Sequence, residues 1–465
     1  MSEATITPAR ALAYEVIRAT FEQDAHTERA FRAAADAGGV DGRDRAQAKR
    51  LAFGAVQRRA TSDAAIESLA ARPPQRLDPP VCNALRLGLY ELLFADATPD
   101  HAAVDQAVEL VKTAGAPHAA GLVNAVLRRA GRERDQLTAA LLDDDSTAER
   151  AAVAHSVPLW LARQWWTELG AGSARSLLTA CNEPAEVAMR VNTLRTDRDR
   201  VLAGLHEAGV EAAAAEGRWP LAGSDQLVVE GRTGEVVGSL VAAGELTPQS
   251  RGSAAVVEVL DPRPGEFVLD LCAGPGIKTG QIAARMEDRG ETISVELDPE
   301  RAAEVAEQAR RLGLRSVTVV EADAAGSGMA PGFDRALVDA PCSDLGALAS
   351  RPDARWRKSP RSIERLTHVQ DDLLRQAAAA LRPGGVLVYA TCTISRAENE
   401  ERVAALLAAS AAGEAPPLEV DDLGTLAPEM ASPHDGRCLQ LRPDRDRTTG
   451  FFICRLTRRD GGSGG

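Results

Sequence analysis

Two cysteines each close a short apolar run: Cys342 in "VDAPCSD" and Cys392 in "VLVYATCTI". A cysteine that follows a proline is a poor strand residue, so the thiol calls for another explanation. The chain holds seven cysteines with no CxxC pair, which gives no disulfide framework and leaves the thiols reduced and open to chemistry. Taken singly, each cysteine reads as a small buried hydrophobe. Two strand-end thiols, one of them three residues past Asp339, are coincidence or chemistry.

A third element joins them. "VLDLCAGPGIKTG" reads as a strand, a Gly/Pro-rich turn and a helix start, which brings backbone N–H groups and a helix N-terminus to bear on a ligand. It is neither the GxGxxG dinucleotide fingerprint nor a P-loop, although Lys278–Thr279 resembles the Walker ending. Alone, such a turn is as readily a structural connection. The following strands add weight. "TISVEL" carries Glu296, suited to both hydroxyls of a ribose, and "VVEAD" ends in Asp323, suited to an adenine amino group. With Asp270 these acids stand at the ends of successive strands and mark a nucleoside pocket at the topological switch point. The next strand delivers Asp339.

The elements that must position these groups form several domains, as 465 residues exceed one ordinary core. Residues 1–145 read as helix after helix; "ARALAYEVIRATFEQ" places Ala9, Leu12, Ala13, Val16, Ile17 and Phe21 on one face. Residues 146–246 hold a linker and a small α+β module with "EVAMRVNTLR" as a strand. Residues 247–458 alternate strands and helices, the pattern of a doubly wound, mostly parallel sheet. Residues 459–465 read as a flexible tail. Net charge is −13, which argues against non-specific coating of nucleic acid. The N-terminus lacks a secretory pattern and no apolar run approaches the ~18 residues of a membrane span, so a cytoplasmic protein without membrane partners is expected.

The motifs "DLCAGPGIKT", "VDAPCS", "ATCT" with "ENE", and "TGFF" resemble the NOL1/NOP2/Sun family of RNA cytosine-5 methyltransferases. The helical region resembles a NusB-like domain, and the combination is similar to the bacterial ribosomal RNA, RsmB (Sun/Fmu) type. The resemblance implies an all-α NusB-like domain, a small α+β RNA-binding module and a Rossmann-like domain using S-adenosyl-L-methionine. It implies Cys392 as nucleophile at cytosine C6, Cys342 as the group assisting product release, Asp339 at the N3/amino edge of the base, and Lys278 as a positioning cation. Cys272, Ala273, Gly274, Pro275, Gly276, Ile277 and Lys278 would cradle the methionine part of the cofactor, with Glu296 on the ribose, Asp323 on the adenine and Asp339 adjoining. Covalent catalysis fits the chemistry: C5 of cytosine is too weak a nucleophile until a thiolate adds to C6.

Four positions depart from the family pattern. Ile277 stands where the loop usually has glycine, and a β-branched residue does not accept positive φ without strain. Ala349 and Ser350 replace basic residues, and Thr449 replaces an acid. "ARWRKSPRSIER" supplies Arg355, Trp356, Arg357, Lys358 and Arg361 as expected RNA contacts, phosphate-binding cations around a stacking indole; Arg190 is expected to face RNA from the small module. The partner is expected to be RNA, small-subunit ribosomal RNA first and transfer RNA second, with no metal and a monomeric state. The rival class is a NusB-like transcription or ribosome-assembly factor that binds RNA without turnover; the intact thiol pair argues against it.

Overall fold

The computed structural model describes residues 6–40, 42–95, 98–231, 233–326 and 328–460. Residues 461–465 of the expected tail lie outside them. The chain forms two compact units: one runs from the N-terminal region through Glu183 and includes Leu348–Ser359, the other takes Pro184–Ala347 and the chain from Pro360 onward.

The first unit is all helical. Its opening helix, Pro8–Glu22, starts on a proline in the first turn, where the missing N–H costs nothing. Ala9, Leu12, Ala13, Val16 and Ile17 are buried, and Phe21 packs on the same core. Helices Gly42–Gln57 and Pro79–Phe94 contribute Leu51, Val56, Leu85 and Leu89 to that core. The helical run passes the expected boundary at residue 145: helices Ala148–Ala154, Leu159–Leu169 and Ala171–Ala180 follow, and Trp165 is fully buried. The stretch expected to be a linker is thus part of the helical unit. So is Leu348–Ser359, a piece of chain that sequence order assigns to the catalytic region.

The second unit begins with a four-stranded antiparallel sheet of β1 (Ala188–Val191), β2 (Ala212–Ala214), β3 (Gln226–Val229) and β4 (Leu246–Pro248) in the order β2-β3-β1-β4. Helices Arg198–Glu207 and Gly234–Ala242 complete a β-α-β-β-α-β unit of ferredoxin-like topology. A larger sheet follows, of β5 (Phe267–Asp270), β6 (Glu291–Glu296), β7 (Val317–Glu321), β8 (Phe333–Asp339), β9 (Leu381–Thr391), β10 (Leu418–Val420), β11 (Leu439–Leu441) and β12 (Phe451–Arg458). Its order is β7-β6-β5-β8-β9-β12-β10, with β11 also on β12. Strands β5 to β9 pair in parallel, and β12 runs antiparallel to β9.

Both faces of this sheet are covered, which is why its strands read as continuous apolar runs. Leu269, Ala336, Val338, Leu387 and Tyr389 pack on one side, and Val268, Leu337, Val386, Val388 and Ala390 on the other. The strand order reverses between β5 and β8, so the loops after these strands and after β9 open at one crevice.

Candidate active site

The turn after β5 is built on two left-handed glycines, Gly274 (φ 57°) and Gly276 (φ 81°). A Cβ on Gly276 would lie 3.0 Å from the Cα of Val305, so only glycine lets the turn pass that helix. Ile277 is the first residue of helix Ile277–Arg285 and is absent from the positive-φ positions, so the strain expected there does not arise. Helical φ is the conformation a β-branched residue accepts.

The acids occupy three distinct environments. Asp270 is buried and accepts a 2.7 Å hydrogen bond from the Thr279 hydroxyl; burial pushes its carboxyl up to about 6. Glu296, at the end of β6, accepts N–H bonds from Gly274 (2.9 Å) and Asp298 (3.1 Å), which tie the glycine turn to the neighbouring strand. Asp323, past the end of β7, is exposed and accepts from the Ala325 N–H at 3.0 Å. Burial raises the Cys272 thiol well above its ordinary range, which disfavours its thiolate.

Beyond β8, Asp339 pairs with Lys278 at 2.6 Å, and the ammonium also lies 4.9 Å from the centre of the Phe451 ring. The cation is largely buried between a carboxylate and an aromatic face. Cys342 and Cys392 come together with their sulfurs 3.4 Å apart. The Cys392 thiol also lies 3.2 Å from Oδ1 of Asp344.

This geometry is held by polar groups buried behind it. Glu398 is fully buried and accepts from the Ser343 N–H (2.9 Å), the Ser343 hydroxyl (2.5 Å) and the Gln370 amide (3.2 Å). Gln370 also donates to the Pro341 carbonyl at 2.9 Å, and the Ser343 and Thr393 hydroxyls meet at 2.7 Å. The loop after β8 and the end of β9 are thereby fixed to one another. Gly346 donates to the Cys392 carbonyl and accepts from the Gly450 N–H, each at 2.9 Å. A Cβ on Gly346 would fall 2.4 Å from the Gly450 carbonyl oxygen, so the approach requires glycine.

Two expected RNA contacts are corrected. Arg355 is fully buried inside the helical unit, donating to the carbonyls of Ser156 (2.9 Å), Cys181 (3.0 Å) and Leu348 (3.3 Å) and to the Asn182 side chain (3.1 Å). It serves carbonyl oxygens at helix ends and reaches no phosphate. Arg190 is also buried; its Nε donates to Gln249 at 2.8 Å, and burial pulls its guanidinium down to about 10. Trp356 spends its N–H on the Val56 carbonyl (2.6 Å), and Arg357 pairs with Asp24 (3.2 Å) and Asp353 (3.7 Å). Arg361 is exposed. Trp356 and Lys358 line an open cavity of about 440 Å³ in the helical unit, with Arg59, Glu67, Gln75 and Trp160 among its other walls.

Sequence reasoning missed Asp344, Glu398 and Trp160. The first two lie inside quoted motifs, "VDAPCSD" and "ENE"; Trp160 lies in a stretch read only as a bridge. Among the described residues no helix is long and apolar enough to cross a membrane.

Comparison with known proteins agrees with this construction. Residues 257–457 match the family described as 16S rRNA methyltransferase RsmB/F, residues 7–132 match the NusB family, and residues 157–218 match the ferredoxin-like domain of RsmF/B-like methyltransferases. A Bacillus subtilis relative, named a probable ribosomal RNA small subunit methyltransferase B, is 32% identical over 97% of this chain and 99% of its own length. A Klebsiella pneumoniae ribosomal RNA small subunit methyltransferase B is 32% identical over 90% of this chain and 91% of its own. The crystal structure of PH0851 superposes with a TM-score of 0.80 at 25% identity, covering 98% of this chain and all of that one. With full-length relatives at this identity and matching models for each part, the chain belongs to the RsmB/F family of 16S rRNA methyltransferases, with an N-terminal NusB domain.

Proposed function

We propose that the chain methylates C5 of a cytosine in small-subunit ribosomal RNA through a covalent adduct, with S-adenosyl-L-methionine as methyl donor. The observation that carries the reading is the pair of thiols 3.4 Å apart, in the same crevice as an Asp339–Lys278 ion pair and a glycine turn. The names of the relatives support the RNA class. The residues around the turn fit a nucleoside cofactor: nothing lies within 4 Å of where a Cβ on Gly274 would stand, Glu296 ends β6, and Asp323 lies just past β7.

When bound, S-adenosyl-L-methionine supplies an electrophilic methyl group. The backbone of Cys272–Lys278 holds its methionine part, Glu296 the ribose hydroxyls and Asp323 the adenine amino group. Asp339 meets the N3 and amino edge of the base, stabilising charge that develops there, and Lys278 fixes the carboxylate. The Cys392 thiolate adds to C6, which makes C5 nucleophilic; after C5 gains the methyl group, Cys342 assists loss of the C5 proton and departure of the Cys392 sulfur. RNA outside the base is met by the exposed Arg361, by Arg357, and by Lys358 and Trp356 at the cavity of the helical unit.

The test is a Cys342→Ala variant incubated with RNA and cofactor and run on a denaturing gel. A nuclease-sensitive, retarded band that disappears on adding Cys392→Ala is expected. No such band, with no methyl transfer to small-subunit RNA by the wild type, would overturn the mechanism.

A further inference from the structure

We propose that Asp344 is a catalytic residue: its carboxylate takes the Cys392 thiol proton as sulfur adds to the pyrimidine and returns it as sulfur leaves. The inference rests on the covalent-adduct reading above and assigns a carrier to the Cys392 thiol proton. Three observations carry it. Oδ1 of Asp344 lies 3.2 Å from the Cys392 sulfur, and Cys342, Asp344 and Cys392 bring their ligand atoms within 4.8 Å of one another. The backbone of Asp344 is left-handed, at φ 59°. A residue with a side chain at such an angle is strained, and strain of this kind collects where function demands a position. Finally, the turn is pinned at both ends independently of any substrate. The Asp344 carbonyl accepts from Ala347, and Gly346 donates to the carbonyl of Cys392 itself, each at 2.9 Å.

Titratable groups near the two sulfurs include Asp344, on the same loop as Cys342, and Tyr389, which faces Cys342; Asp339 stands at the end of β8. The charge of Asp339 is engaged by Lys278 at 2.6 Å. The carboxylate of Asp344 is in hydrogen-bond contact with the Cys392 sulfur, at 3.2 Å. A thiol of ordinary acidity, near 8.5, is only a few per cent ionised at neutral pH, so a positioned acceptor raises the rate of attack.

The balance closes. As the S–C6 bond forms, the S–H bond of Cys392 breaks and its proton passes to Asp344, while the C5–C6 electron pair moves into the ring. C5 gains the methyl group. The C5 proton then goes to Cys342 as its thiolate, the C5–C6 double bond re-forms, the S–C6 bond breaks, and the Cys392 sulfur recovers its proton from Asp344. Cys342 releases its proton to water, one per methyl group transferred.

The test measures the rate of the nuclease-sensitive adduct in a Cys342→Ala parent, with transcribed small-subunit ribosomal RNA, from pH 6.5 to 9.5. Asp344→Asn and Asp344→Gly are each added to that parent; glycine keeps the turn, since φ 59° costs it nothing. Both are expected to form adduct roughly 30-fold more slowly at pH 7, the inverse of the few per cent of an ordinary thiol that is ionised there. Their rates should converge on the parent's toward the alkaline end of the range, where thiolate forms without a positioned base. Adduct formation at the parental rate or faster at pH 7 would overturn the inference and leave the covalent reading standing. So would an equal deficit at every pH, which marks a structural role. No adduct in the Cys342→Ala parent would overturn both together.

Discussion

The buried carboxyl of Asp270 gives a stability prediction whose sign and size follow from the structure. Burial raises it from an ordinary value of 3.8 to about 6. A raised acid means that, between those two values, the folded chain keeps a proton that the unfolded chain has released. Stability then falls as the pH rises through that window and is flat on either side of it. About two pH units at 1.36 kcal/mol each make the loss about 3 kcal/mol. Asp270→Asn removes the titration and leaves an oxygen to accept from Thr279, now 2.7 Å from the carboxylate. The assay is denaturant unfolding of wild type and variant at matched pH values from 3.5 to 7.5. Subtracting the two curves cancels every other titrating group, as well as whatever constant cost the amide imposes. The difference is expected to move in the variant's favour by about 3 kcal/mol between the acid and neutral ends, most of it between pH 4 and 6. Parallel curves would show that Asp270 ionises in the folded chain as it does in water, and would refute the reasoning.

Arg355→Ala strands the carbonyls of Ser156 and Leu348, while that of Cys181 keeps the Gln57 amide at 3.1 Å; at ~1–3 kcal/mol for each buried unsatisfied group, the helical unit should lose about 2 kcal/mol or more, seen as a lower unfolding midpoint. An unchanged midpoint with a reduced salt slope of RNA binding would restore Arg355 to the RNA surface. Trp160→Ala, at the cavity of the helical unit, should weaken RNA binding by ~1–3 kcal/mol, the worth of one stacked base, and leave kcat unchanged; unaltered affinity would remove the cavity from the RNA path.

What could be read in the sequence is what local pattern controls. Strands β5 to β9 are continuous apolar runs ended by acids or thiols, and the residues at those ends are the ones the crevice collects. The two cysteines stood out because proline or threonine sets each of them just past the strand. What escaped is what only three-dimensional neighbours decide. "ARWRKSPRSIER" has the composition of a solvated basic patch, yet Arg355 within it lies at 0% exposure, because the carbonyls of Ser156 and Cys181, far off in the chain, converge with that of nearby Leu348 on that point. Arg190 sits in an alternating strand and gave no sign that Gln249 would meet it. Glu398 looks like any helix-start acid, and its role rests on Ser343, 55 residues earlier. At Ile277 the expected conflict was real only if the position were left-handed, and the turn places that burden on Gly274 and Gly276.

The inclusion of Leu348–Ser359 in the helical unit has a consequence for how the chain comes off the ribosome. Residues through Glu183 are made first, but the last piece of their unit follows about 165 residues later. At ~5–20 residues per second that is an interval on the order of ten to thirty seconds. Throughout it, the carbonyl of Ser156 waits for the guanidinium of Arg355, and that of Val56 for the indole N–H of Trp356. By then the glycine turn, Asp339 and Cys342 have already been synthesised, so the helical unit is completed only after much of the methyltransferase chain exists.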